Sequence, residues 1–83
     1  MAKAGKEVEL SDGKVVLMPA DFAALRLFAD DAHEIIHNER AYARLTALRM
    51  ATHRFTKDDW PKAVAVLTPR GREALRQAPF RDL

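Results

Sequence analysis

Five consecutive residues, His33-Glu34-Ile35-Ile36-His37, have the spacing H-E-x-x-H. On an α-helix this spacing places two imidazoles one turn apart, where they can hold Zn²⁺ while the glutamate between them activates a water molecule. A third ligand would have to come from distant positions, and charged residues flank the motif. The candidate third ligands are His53, Asp58 and Asp59. We therefore expect these histidines to be structural, and we predict no cofactor, metal site or catalytic residue; adventitious metal binding is the lesser alternative.

A second pattern is the separation of charge along the chain. From residue 21 to residue 39 there are five acids and one base, whereas from residue 40 to residue 57 there are five bases and no acid. A formal net charge of only +2 hides this asymmetry. The basic stretch indicates a surface that faces an anionic partner. The alternative is a solvated helix face whose bases form intramolecular ion pairs.

Length and composition limit the classes of protein. Eighty-three residues predict a single domain, 1–83, with little room for an enclosed substrate cavity. The absence of cysteine excludes a disulfide framework, a zinc ribbon and a thiol nucleophile. Apolar stretches are too short to span a membrane, and no apolar segment follows the charged start as in a signal peptide. We expect a soluble cytoplasmic protein that is not an enzyme.

The periodicity of apolar residues predicts an α+β fold. Asp12-Gly13 between two apolar runs predicts an N-terminal β-hairpin. Apolar spacings of three and four residues predict a helix from Pro19 to about residue 36, and Asn38 is a candidate N-cap for a second helix. Thr68-Pro69 predicts the start of a short last helix that runs to about residue 77. The expected strands are 7–10, 14–18, 53–55 and 63–67, and Ala78-Pro79 is expected to end the last helix.

The segment Ala65-Val66-Leu67-Thr68-Pro69-Arg70-Gly71-Arg72-Glu73-Ala74-Leu75 resembles the second wing strand and last helix of bacterial winged-helix regulators. Residues 45–50, ahead of His53-Arg54-Phe55, are similar to the end of a recognition helix that enters the first wing strand. Residues 12–22 are similar to the strand-to-helix junction of response-regulator output domains. The resemblance covers roughly residues 12–77. It implies an N-terminal β-hairpin, two to three helices, a β-hairpin wing and a short C-terminal helix.

This resemblance implies a small DNA-binding transcriptional regulator. The helix that starts near Asn38 would be the recognition helix in a major groove, with Glu39 also on its exposed side, and the following hairpin a basic wing. The middle helix of a full helix-turn-helix would be either a single turn around residues 31–36 or missing. The residues expected to contact duplex DNA are Arg40, Ala43, Arg44, Arg49, Arg54, Lys57 and Lys62.

Four residues test the packing that the resemblance implies. We expect Trp60, on the wing tip, to fold back over the core. Leu67 and Leu75 should face the core from either side of the Thr68-Pro69 junction. Gly71 has no helix-propensity reason to lie in a helix, so we expect a backbone close to it, that of the first helix.

Two other functions remain open from the sequence. The same scaffold could be a protein-interaction module, such as a phage or plasmid adaptor or inhibitor that binds a host protein. A zinc metallopeptidase built on His33, Glu34 and His37 is the less favoured alternative. The expected partners are therefore duplex DNA, a second copy in a homodimer, or another protein, and no membrane.

Overall fold

The structure is a computed structural model that describes residues 5–77. Within these residues the chain forms a small α+β arrangement with a two-stranded and a three-stranded antiparallel sheet. The elements in chain order are β1 (Lys6–Leu10), β2 (Gly13–Leu17), α1 (Pro19–Phe28), β3 (His33–Glu34), a 3-10 turn (Ile35–His37), α2 (Glu39–Ala47), β4 (Ala51–Phe55), β5 (Ala63–Leu67) and α3 (Pro69–Arg76). The predicted end of the last helix at Ala78-Pro79 lies outside the described residues.

The N-terminal β-hairpin is confirmed. β1 and β2 pair in antiparallel register through a tight turn in which Gly13 has a φ of 131°, a conformation that side chains with a Cβ rarely adopt. Alternation along the strands buries Val8, Leu10 and Leu17 on one face and leaves charged residues on the other. The hairpin thus contributes one wall of the core.

The first helix is shorter than the sequence predicts, because it ends at Phe28 and does not continue to residue 36. The Asp30 carboxylate accepts a hydrogen bond from the Ala32 amide at 3.2 Å, and Asp31 has a φ of 56°. Short acidic side chains stabilise such turns by bonding to nearby backbone, in competition with the helix. Ile36, which the predicted helix would include, lies in the 3-10 turn instead and is 68% exposed.

The second sheet has the strand order β3-β5-β4, so that β5 is central and the two flanking strands are edges. The register places Glu34, Val64 and Arg54 in one row across the sheet. The strands predicted at residues 53–55 and 63–67 are both present, although β4 begins two residues earlier than expected, at Ala51. A long connection, residues 56–62, joins β4 to β5.

The hydrophobic core lies between α1, α2 and the two sheets. Its largest fully buried side chains are Phe28, Leu17, Leu25, Leu45 and Met50. Each is expected to contribute about 1.5–3 kcal/mol relative to an exposed side chain, which is a large share of the stability of so small a domain. None of the helices within residues 5–77 is long and apolar enough to cross a membrane.

The start of α3 is anchored on the turn between α2 and β4 by three consecutive carbonyl groups. The carbonyl of Leu48 accepts from Arg70 Nε at 2.9 Å, that of Arg49 from the Thr68 hydroxyl at 2.8 Å, and that of Met50 from the Thr68 amide at 3.0 Å. The predicted cap is confirmed, because Thr68 Oγ1 also accepts from the Gly71 amide at 3.1 Å. We call these contacts the α3 anchor.

Gly71 does approach a backbone closely, but the partner is not the first helix. A Cβ placed on Gly71 would lie 3.0 Å from the carbonyl carbon of Met50 and closer still to its oxygen. The residue is buried against the turn that the α3 anchor holds. Leu67 is buried as expected, whereas Leu75 is half-buried and packs against the core.

Candidate nucleic-acid interface

α2 buries one stripe and exposes a face of small and basic side chains. Leu45 is fully buried, whereas Arg40, Ala43 and Ala47 are exposed on the opposite side. Asn38 is at the N-cap position, but its side chain makes no capping bond; it donates instead to the carbonyl of Glu34 at 2.8 Å. The bond from Asn38 to Glu34 therefore fixes the start of α2, and burial of Leu45 fixes the opposite side of the helix against the core.

Arg44 lies on the same helix but is held by an acid of α1. Its Nε donates to Asp21 Oδ1 at 3.0 Å and its Nη2 to Oδ2 at 3.2 Å. Asp21 is buried and also accepts from the Met18 amide at 2.8 Å, which caps α1. The hydrogen bond to Asp21 and its negative charge raise the pKa of Arg44 above its ordinary value. Arg44 therefore positions α2 against α1, with half of its side chain still exposed.

The C-terminal end of α2 is a Schellman motif without glycine. Met50 N donates to Leu45 O at 2.8 Å and Arg49 N to Thr46 O at 2.9 Å, while Arg49 has a φ of 61°. The left-handed conformation costs a residue with a Cβ about 1–2 kcal/mol. Burial of both Met50 and Leu45 offsets this cost. The Arg49 side chain is exposed just past the helix end.

Strand β4 presents different side chains on its two faces. His53 and Phe55 point to the side of α2, where the Tyr42 hydroxyl lies 3.4 Å from His53 Nδ1 and the rings of His53 and Phe55 are 5.4 Å apart. Arg54 alternates to the other face, where its Nη2 donates to the carbonyl of Asp31 at 3.2 Å. Arg54 therefore lies on the opposite face of the sheet from its sequence neighbours His53 and Phe55.

The tip of the hairpin carries both signs of charge and an exposed aromatic ring. Trp60 is 84% exposed, so the expectation that it folds back over the core is wrong. Asp58 and Asp59 precede it, and Lys57 lies on the same depression. Lys62 is 3.8 Å from the carboxylate of Glu34. The exposure of Trp60 had a sequence signal, since it stands in a polar, turn-rich segment.

The predicted bases divide into two groups by their partners. Within residues 5–77, two of the six, Arg44 and Lys62, form ion pairs. The other four have no carboxylate within 4.0 Å in the same part of the chain. These four are Arg40, Arg49, Arg54 and Lys57. Intramolecular ion pairing therefore occurs at Arg44 within the basic stretch, and the prediction of an anionic partner rests on the four bases without such a pair among the described residues.

The H-E-x-x-H residues do not share a helix. His33 lies in β3, 3.5 Å from Asp30, whereas His37 ends the 3-10 turn and is exposed. Glu34 contacts Lys62. Among the described residues no three His, Cys, Asp or Glu side chains lie together as a metal site requires. The one-turn stacking that this motif needs for zinc is absent from residues 33–37.

No family model, curated protein or solved structure matches this chain.

Proposed function

We propose that the chain is a small winged-helix-type regulator that binds duplex DNA, with α2 as its recognition helix. The observation that carries this proposal is the exposed face of α2, where Ala43 and Ala47 leave room for close approach and Arg40 has no carboxylate within 4.0 Å among the described residues. Arginine is the commonest side chain that binds guanine with two hydrogen bonds, and alanine can contact a thymine methyl group. Such a face fits a major groove.

The arrangement around α2 supports the same proposal. α2 leads through a tight turn into the β4–β5 hairpin, and β3 pairs with β5 at the other edge of the sheet. This order agrees with the winged-helix resemblance of the sequence, with the 3-10 turn Ile35–His37 in place of a full middle helix. The proposal assigns the hairpin to the position of the wing.

The charges indicate where phosphates would lie. Arg40 and Arg49 are exposed near opposite ends of α2, and Arg44 has a half-exposed guanidinium between them. Asp58 and Asp59 reduce the positive potential at the hairpin tip, so we place the phosphate contacts on α2. Two or three such contacts give a slope of log affinity against log salt of about −2 to −3.

The test is fluorescence anisotropy with a labelled random duplex at several salt concentrations. We expect R40A to weaken binding roughly tenfold or more, because it removes a base or phosphate contact from the exposed face of α2. R76A is the matched control, since it removes an exposed arginine from α3. Failure to bind any duplex at low salt would refute the proposal, as would equal losses for R40A and R76A.

A second candidate is a protein-interaction module, which exposed apolar side chains favour. Ile36, Phe55 and Trp60 are 68%, 61% and 84% exposed. Large apolar side chains on a surface mark contacts with proteins more often than contacts with phosphates. If the chain is such a module, R40A should leave the affinity for the protein partner unchanged, whereas W60A should abolish binding of that partner.

A further inference from the structure

Two depressions adjoin each other on the β4–β5 hairpin. The first lies at the end of the hairpin, has a volume of about 520 Å³ and is lined by Lys57, Asp58, Asp59, Trp60 and Lys62. We call these five hairpin residues, whose Trp60 ring is 84% exposed, the tip. The second, the base groove, has a volume of about 450 Å³ and lies between the hairpin, the 3-10 turn and the start of α2. It is lined by Glu34, Ile35, Ile36, Glu39, Lys62 and Ala63. Lys62 belongs to both depressions.

The base groove has an apolar floor and an acidic rim. Ile36 is 68% exposed, and Ile35 and Ala63 are half-buried beside it. Glu34 and Glu39 supply the rim, and the amine of Lys62 stands 3.8 Å from one of these carboxylates. A groove of this size is within the range that accepts a ligand larger than one aromatic side chain.

The tip has the complementary chemistry. Trp60 offers a large apolar ring that is 84% exposed, and burial of such a ring is a common source of binding energy at protein interfaces. The positive charge of Lys57, beside Trp60, is complementary to the negative charges of Glu34 and Glu39 on the rim of the base groove. The negative charges of Asp58 and Asp59 are complementary to the ammonium group of Lys62, which also lines the base groove. The chain therefore carries both a knob and a groove of matching polarity and charge.

We propose that the occupant of the base groove is the tip of a second copy of this chain, so that each copy inserts its Trp60 against the other's Ile36. Because tip and groove adjoin on one hairpin, a twofold axis near Lys62 exchanges them and closes the interface as a dimer. Lys57 of one copy then meets Glu39 of the other. Arg40, Ala43 and Ala47 line neither depression, so the dimer contact does not depend on DNA binding.

The interface uses one hairpin and one groove from each copy, which places it among small, reversible contacts. The sequence contains a single tryptophan, so its fluorescence reports on the tip alone. We expect the emission maximum to move to shorter wavelength as concentration rises from low micromolar to submillimolar. Sedimentation velocity over the same range should show a dimer forming in parallel.

Variants separate the knob from the groove. W60A and I36D should each be monomeric at concentrations where the unaltered protein dimerises. A mixture of the two should recover part of the dimer, since W60A keeps an intact groove and I36D an intact tip. K57E and E39K should each weaken the dimer, and the double variant should restore it. V16D is the matched control for I36D, because Val16 is also an exposed apolar residue (56%) but lies on the N-terminal hairpin.

Three results would overturn the dimer. The first is a monomer at every concentration with an unchanged emission maximum. The second is loss of dimer in V16D equal to that in I36D, which would place the contact elsewhere. The third is a shift of Trp60 emission on addition of duplex DNA and not on concentration. A monomer whose DNA binding depends on Arg40 would refute the dimer and leave the proposed function standing, whereas a dimer that binds no duplex would do the reverse.

Discussion

Replacement of Gly71 by alanine tests how the last helix meets the rest of the fold. In an unhindered helix this change stabilises a protein by about 0.5–1 kcal/mol, because alanine loses less backbone entropy on folding. Here the new methyl group would lie within 3.0 Å of the Met50 carbonyl carbon and closer to the oxygen. The obstacle is backbone, which cannot rotate away as a side chain can.

The magnitude follows from the groups that must move. Overpacking of a filled site costs about 1–3 kcal/mol. The same Met50 carbonyl accepts from the Thr68 amide at 3.0 Å, and weakening this bond costs about 0.5–1.5 kcal/mol. After subtraction of the helix-propensity gain, we expect G71A to lower the free energy of unfolding by about 2 kcal/mol, within a range of roughly 0.5–4 kcal/mol.

Urea denaturation followed by far-UV circular dichroism measures this change. R76A is the control, because it alters an exposed residue on the same helix and should change stability by less than about 0.5 kcal/mol. Stabilisation by G71A to the extent seen at open helix positions would refute the close approach of α3 to Met50. A loss in R76A as large as that in G71A would show that the helix, not the contact, is sensitive.

The remaining predictions concern three other features. R44A should lower the urea midpoint, because it leaves the buried carboxylate of Asp21 without its guanidinium partner, and R44K should restore part of the loss. The raised pKa of Arg44 means that its stabilising effect is fully present below the ordinary arginine pKa and is lost only above it. Urea midpoints measured from pH 6 to pH 9 should therefore show no titration of Arg44. L75A should cost about 1–2 kcal/mol by the same assay, less than a fully buried leucine, because Leu75 is half-buried. Removal of His33 and His37 together should leave the melting temperature nearly unchanged, and elemental analysis of the unaltered protein should find no stoichiometric zinc; a bound equivalent of metal would contradict the geometry of residues 33–37.

Features set by local chemistry could be predicted from the sequence. The hairpin at Asp12-Gly13 follows from the positive φ that its turn requires, and the start of α3 follows from the Thr68 hydroxyl and Pro69. Both the Asp12-Gly13 turn and the start of α3 depend only on residues a few positions away in the sequence. The N-terminal hairpin and the start of the last helix are therefore where the sequence predicted.

The prediction that α1 continues to about residue 36 is wrong for a reason that apolar periodicity cannot show. Apolar spacing continues past Phe28, but β3 pairs with β5 through partners such as His33 and Ala65, which lie 32 positions apart in the chain. The pair Asp30-Asp31 was the local signal for a turn. A distant strand and a local turn together overrode the helical pattern.

The candidate site was predictable in composition but not in arrangement. The absence of acids from residue 40 to residue 57 defined the basic stretch. It could not reveal that Asp21, 23 residues before Arg44, forms an ion pair with that arginine. Nor could it show that Arg54 leaves the sheet on the face away from His53 and Phe55.

The α3 anchor makes the turn after α2 and the start of α3 open together. Three successive carbonyls of the turn after α2 depend on donors from Thr68 and Arg70, so α3 cannot detach without leaving them to solvent. In hydrogen exchange the amides at the end of α2 and that of Thr68 should thus share one protection factor, as a single cooperative unit. A chain truncated before Thr68 would lose the support of the turn at Arg49, and with it the orientation of the exposed face of α2.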